Sequence, residues 1–260
     1  VVPILKLQIF VFEQRYFELN ANNMFSKGLR HLPNMITLLN LFSGCVALVC
    51  ILEGQWLAGA WLVGLALVAD FLDGAVARLL RVQSDVGKQL DSLADMVSFG
   101  VVPGTAFYEL LRVQAAPEGG WRLALLGFAV SVFAGLRLAK FNTDTRQTID
   151  FIGLPTPAAT IFTVGLLLVA HQNTHGLRPL VTHPVVLYSC IAGLCMLMVS
   201  ELRLFSFKFK RFTWSGNEIK FIFAGVSLIL LTLLREAALP IIILFYLLLA
   251  AILHFLNKTP

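Results

Sequence analysis

Four aspartates carry the chemistry in this sequence. Asp70 and Asp73 stand three residues apart, Asp91 and Asp95 four apart. On helices both spacings put two carboxylates on one face. All four lie in or against apolar runs, where an ionised carboxylate costs about 2.5–3.5 kcal/mol on insertion scales. Four such groups call for a cation or an aqueous cavity. Clustered carboxylates without histidine or thiolate nearby favour hard cations such as Mg²⁺, Mn²⁺ or Ca²⁺. Between the pairs lie Gly74, Ala77, Arg78 and Gly87. Small residues at 74 and 77 allow close approach to a helix backbone, and Arg78 adds a fixed cation suited to phosphate. Alone, the small residues would fit plain helix packing. Beside four acids and an arginine, they read as part of a binding site.

The elements that must position these groups are set by lipid. Of 260 residues, 58% are hydrophobic and 13% charged, and the mean hydropathy is +0.81. Soluble domains run at roughly 45–50% apolar and about 25% charged. The composition excludes a disordered chain, a nucleic-acid-binding module and a disulfide scaffold. It predicts an all-α integral membrane fold. The net charge of +5 fits basic cytoplasmic loops rather than nucleic acid. Cys45, Cys50, Cys190 and Cys195 fall inside apolar runs without CxxC spacing and read as small hydrophobes.

About 20 apolar residues cross a bilayer, and the runs predict about eight transmembrane helices. These cover 33–52, 56–80, 88–111, 121–141, 154–171, 183–200, 217–234 and 237–256. Pro33, Pro155 and Pro184 sit near three starts, where a missing N–H does little harm. With the N-terminus inside, eight crossings leave Arg112, Arg122, Arg178 and Arg235 outside and every other Lys and Arg within. Both termini and the aspartates are therefore expected on the cytoplasmic side. The short link between the second and third helices predicts antiparallel neighbours whose acids converge at one depth. The stretch 171–183 reads as a loop, and its His171 and His175 lack a third ligand for zinc. Residues 203–211 read as a basic, aromatic surface segment and 24–32 as a short amphipathic helix. Residues 1–23 read as an N-terminal extension of unknown role, ahead of a membrane domain over 24–256.

The run Asp70-Phe-Leu-Asp73-Gly74-Ala-Val-Ala77-Arg78, then eight residues, Gly87, three residues, Asp91, three residues and Asp95 resembles the CDP-alcohol phosphatidyltransferase signature at every fixed position. The resemblance implies an integral membrane protein with a six-helix core. It implies two divalent metals, Mg²⁺ or Mn²⁺, and displacement of CMP from a CDP-linked lipid by an alcohol. Carried over, Asp70, Asp73, Asp91 and Asp95 are the implied metal ligands, with Asp95 also the candidate general base. Asp73, Gly74, Ala77, Arg78 and Gly87 would line the nucleotide site. Pro33-Asn34-Met-Ile-Thr37 resembles the family's first-helix motif, which adds Asn34 and Thr37 to that site. A homodimer is implied by the resemblance alone.

For the acceptor, Arg137-Leu-Ala-Lys140-Phe141-Asn142-Thr143, then Arg146, and the stretch Phe151 to Ala159 resemble the phosphatidylserine synthases within the family. So does the segment from Gly87 to Pro103. The implied substrates are CDP-diacylglycerol and L-serine, in a multi-pass protein of the cell inner membrane, surrounded by membrane lipids and without a nucleic-acid partner. Physically, Arg137, Lys140 and Arg146 could receive a carboxylate, and Asn142 and Thr143 could hydrogen-bond an amino-acid head. Two alternatives stand beside this reading. One is another acceptor, glycerol 3-phosphate or inositol phosphate. The other is an ion transporter, although acids confined to one hairpin argue against it.

Overall fold

The computed structural model describes residues 30–82, 84–114, 121–143, 151–204 and 217–255. The expected extension 1–23, most of the 24–32 segment, Arg146 and the greater part of 203–211 lie outside them. Helix α1 (Leu32–Leu52) and α2 (Trp56–Leu80) form a hairpin. A long rod follows, made of α3 (Asp85–Asp95), a π-helical stretch (Met96–Val101) and α4 (Val102–Gln114). Next come α5 (Trp121–Thr143), α6 (Thr156–Gln172), α7 (Pro184–Val199), α8 (Glu218–Leu234) and α9 (Ala238–Phe255). Pro33, Pro157 and Pro184 occupy first-turn positions of α1, α6 and α7, where the missing N–H had no helical partner.

Four helical runs among the described residues are long and apolar enough to cross a membrane: Leu32–Leu52, Trp56–Leu80, Trp121–Thr143 and Glu218–Leu253. Thr156–Gln172 and Pro184–Val199 are shorter apolar helices. The Glu218–Leu253 run folds back on itself at Arg235 (φ 50°). Phe223 then stacks on Phe245 and meets Tyr246 edge-on, with ring centroids 5.6 and 5.9 Å away.

The rod is the structural axis. α1, α5 and α6 all pack on it, and α6 is buried along nearly its whole length. Hydroxyls pin the π-helical stretch. Thr160 donates to the Phe99 carbonyl (3.2 Å), Ser131 to that of Gly100 (2.8 Å), and Thr105 to that of Val101 (3.0 Å). A π turn disturbs the regular backbone ladder, and such turns gather at functional sites. Nothing in the run MVSFGV announces it.

Two expectations need correction. The all-α reading has an exception in a short antiparallel pairing of β1 (Phe151–Ile152) with β2 (Arg203–Leu204). Gly153 follows at φ +75°, where a Cβ would lie 2.6 Å from the Met198 carbonyl oxygen. Backbone polar groups between helices need partners, and two-residue strands leave no readable period. The stretch 171–183 is likewise partly helical, with turns at Thr174–Gly176 and Arg178–Val181.

Candidate active site

Helices α2 and α3 are not the close neighbours that their short link suggests. α1 packs along α2 and also against α3, while α2 and α3 touch little. Like-charged carboxylates facing each other resist close helix packing, and α1 bridges the gap with polar side chains one turn apart. The Thr37 hydroxyl donates to Asp73 Oδ2 at 2.6 Å. Asn40 Nδ2 points to Asp95 Oδ1 at 3.5 Å. Asn34 Oδ1 lies beside Gly87, where a Cβ would come within 3.0 Å of it. Ser84 caps α3, its Oγ accepting from the Gly87 N–H at 3.0 Å. That cap satisfies one of the free donors of the helix start.

In this gap the carboxylates of Asp70, Asp91 and Asp95 each place an oxygen within 4.8 Å of the other two. At an effective dielectric near 20, each ionised pair so close repels by about 3 kcal/mol. Among the described residues no lysine or arginine forms an ion pair with them. Three hard oxygen donors without an ion-paired lysine or arginine fit Mg²⁺ or Mn²⁺. Asp73 stands outside this trio, buried against Thr37.

Beside the acids opens a cavity of about 520 Å³. Its walls include Asn34, Thr37, Asp73, Gly74, Ala77, Arg78 and Gly87, together with Asp91. Ser84, Asp85 and Lys88 also line it, and sequence reasoning misses all three. Lys88, adjacent to Gly87 on the first turn of α3, is the readable signal among them.

The candidate acceptor residues separate. Arg137 is buried at 7% exposure, with its guanidinium 5.5 Å from the Phe141 ring centroid and Asp95 as the charge acting on it. Asn142 Nδ2 donates to Ser92 Oγ at 2.8 Å, tying α5 to the helix that carries Asp91 and Asp95. Lys140 and Thr143 are exposed, and the Thr143 hydroxyl bonds back to the carbonyls of Ala139 and Lys140. His171 sits at the opposite end of α2 from the acids, packed edge-on against Trp56.

Comparison with known proteins places the chain in a family. The family model for CDP-alcohol phosphatidyltransferase matches residues 30–199. The CDP-diacylglycerol–serine O-phosphatidyltransferase of Helicobacter pylori (strain ATCC 700392 / 26695) is 36% identical over 182 residues, covering 68% of this chain and 72% of that protein. The protein of the same name from Bacillus subtilis (strain 168) is 33% identical over 180 residues, covering 69% and 93%. An archaetidylserine synthase of Methanothermobacter thermautotrophicus is 35% identical over 133 residues, covering 50% and 54%. The match takes in the aspartate helices, the cavity walls and α5 to α7 together, and the chain belongs to the CDP-alcohol phosphatidyltransferase family.

Proposed function

We propose that this protein transfers the phosphatidyl group of CDP-diacylglycerol to L-serine, giving phosphatidylserine and CMP. The observation that carries the reading is the set of three carboxylates, with oxygens within 4.8 Å of one another, beside a cavity lined by small residues and Arg78. Relatives named for serine transfer support the acceptor.

In this reading Asp70, Asp73, Asp91 and Asp95 hold two Mg²⁺ or Mn²⁺ ions. Bound there, the metals supply charge neutralisation for the attacking and leaving oxygens of a displacement at phosphorus. Asn34, Thr37, Asp73, Gly74, Ala77, Arg78 and Gly87 seat the nucleotide and diphosphate. Thr37 holds the Asp73 carboxylate in place through its short hydrogen bond. Arg137, Lys140, Asn142, Thr143 and Arg146 receive serine. Asp95 takes the hydroxyl proton as the serine oxygen bonds to the lipid-side phosphorus. The bond from that phosphorus to the bridging oxygen breaks, and CMP leaves with that oxygen.

The membrane domain spans 24–256, with residues 1–23 as an extension. It crosses the cell inner membrane eight times around a six-helix core. Three observations support eight: the fold-back at Arg235, the two shorter apolar helices and the long rod. Both termini and the site face the cytoplasm, and two copies associate as a homodimer among membrane lipids. Membranes containing the protein, given CDP-diacylglycerol with serine, glycerol 3-phosphate or inositol phosphate, should form phosphatidylserine and release CMP in step. Preferential use of either phosphate-bearing alcohol would overturn the serine assignment.

A further inference from the structure

Among the described residues six buried side-chain atoms have no hydrogen-bond partner, and three of them come from three different helices: Asn40 Oδ1, Arg137 Nε and Thr156 Oγ1. Helix spacing brings all three to the level of Asp95. Asn40, fully buried, touches it directly through Nδ2 at 3.5 Å.

Helix α5 runs antiparallel to the rod. Gly127 meets Phe107 and Tyr108, Ser131 bonds to Gly100, and Gly135 faces Met96. Six residues beyond Ser131, about 9 Å along a helix, Arg137 reaches the level of Asp95. Helix α6 runs parallel to the rod, since Thr160 bonds to Phe99 and the rest of α6 packs along α4. One turn before Thr160, about 6 Å, Thr156 comes to the same level.

Buried polar groups in native proteins are normally paired, and an unpaired one asks for an explanation. Here three share one layer, and none of them lines the nucleotide cavity. Their chemistry is complementary to a zwitterion. Arg137 Nε is a cationic donor. Thr156 offers a hydroxyl at the first turn of a 17-residue helix, where the dipole favours an anion. Asn40 Oδ1 is an acceptor.

We propose that Asn40, Arg137 and Thr156 form the seat of the acceptor's amino-acid head, on the face of Asp95 away from the nucleotide. Arg137 and Thr156 hold the α-carboxylate, and Asn40 Oδ1 accepts from the α-ammonium. The hydroxyl is thereby directed at Asp95. An alcohol without the ammonium leaves Asn40 Oδ1 unpaired, which is the kind of mismatch that gives strong discrimination. Arg137 alone of the three keeps some exposure, so its long side chain is the part that moves when the acceptor enters. The proposal rests on L-serine being the acceptor.

The test uses the full chain in detergent with Mn²⁺ and CDP-diacylglycerol, reading CMP release. Thr156→Val should raise the KM for serine roughly ten- to hundred-fold without changing that for CDP-diacylglycerol, and Thr156→Ser should keep it near wild type. Two serine fragments then separate the roles by their inhibition of the serine reaction. Thr156→Val should weaken 3-hydroxypropionate, which has the carboxylate, and spare ethanolamine, which has the ammonium. Asn40→Leu should do the reverse. Thermal stabilisation of each variant by CDP with Mn²⁺ reports whether it is folded. Variants that bind CDP normally but weaken both fragments equally, or neither, overturn the seat. A wild type that forms no phosphatidylserine overturns the serine reading itself, so the two failures are told apart.

Discussion

On one side of the acid cluster the helices stand apart around a cavity of about 520 Å³, walled by small side chains and two basic residues, Arg78 and Lys88. On the other side α1, α5 and α6 pack on the π-helical stretch that follows Asp95, and Asn40 and Thr156 are fully buried. The open side has the size for a large nucleotide-lipid, and Arg78 and Lys88 among its walls offer cations to phosphate. On the closed side Asn40 Oδ1, Arg137 Nε and Thr156 Oγ1 are buried without a hydrogen-bond partner, so each polar atom there matters. In the proposed reading one flank binds through volume and backbone approach, the other through a few matched hydrogen bonds. Asp95 lies between them, so a change at Asp95 should stop chemistry, and a change on either flank should alter one substrate alone.

The largest effect is expected at the divide. Asp95→Asn should lower CMP release by about 10²–10⁴, the usual worth of a positioned base, and leave much of the CDP-lipid binding intact. Asp70→Asn and Asp73→Asn should also weaken metal and nucleotide binding. Near-normal turnover in Asp95→Asn would remove the base assignment. Chelating divalent cations from the wild type should abolish activity, and adding back Mn²⁺ or Mg²⁺ should restore it.

Next comes the closed flank. Arg137→Ala removes a charge-assisted contact worth about 1.5–3 kcal/mol, or one to two powers of ten in affinity. Steady-state kinetics should show that loss in the KM for serine, with CDP-diacylglycerol unaffected. Equal losses for both substrates would break the division between the flanks. Lys140→Ala should be milder, because Lys140 stands on an exposed face.

The two flanks also differ in how far the sequence reveals them. The open side is built mainly from α2 and α3, consecutive in the chain, so Asp70, Gly74, Ala77, Arg78, Gly87 and Asp91 keep fixed spacings that can be read directly. Even there the sequence misleads on packing, because the α2–α3 link is short while α1 does the bridging. The proposed closed side draws on positions 40, 95, 137 and 156, which share no period and no local pattern. Asn40 reads as one more polar residue on an apolar helix. Thr156 reads as a first-turn residue between two prolines. Only tertiary placement sets them at one level of the fold. The π-helical stretch just after Asp95 is invisible for the same reason, since hydroxyls from α5 and α6 help to hold it.

On the open flank, Gly87 tests close approach. A Cβ at position 87 would lie only 3.0 Å from Asn34 Oδ1 and 3.1 Å from Ser84 Oγ, so Gly87→Val pushes a branched side chain against both. Overpacking of this kind costs about 1–3 kcal/mol. The KM for CDP-diacylglycerol should rise about ten-fold while that for serine stays put.

The smallest expected effect sharpens the comparison most, because it acts on the open flank without touching the acids. Ser84 starts α3, and its Oγ accepts from the Gly87 N–H at 3.0 Å. Losing an N-cap of this type costs about 1 kcal/mol, which is a factor of roughly five in an equilibrium. The first turn of α3 carries Gly87 and Lys88, both in the cavity wall, whereas Asp95 lies at the helix's other end, held from the side by α1. Fraying in Ser84→Ala should therefore stay near the nucleotide. The KM for CDP-diacylglycerol should rise up to about five-fold, while the serine KM and the maximal rate change little. Ser84→Thr, which keeps the capping oxygen, should return to wild-type values. If Ser84→Ala instead lowers the maximal rate as Asp95→Asn does, α3 transmits disorder along its length, and the two flanks are one mechanical unit.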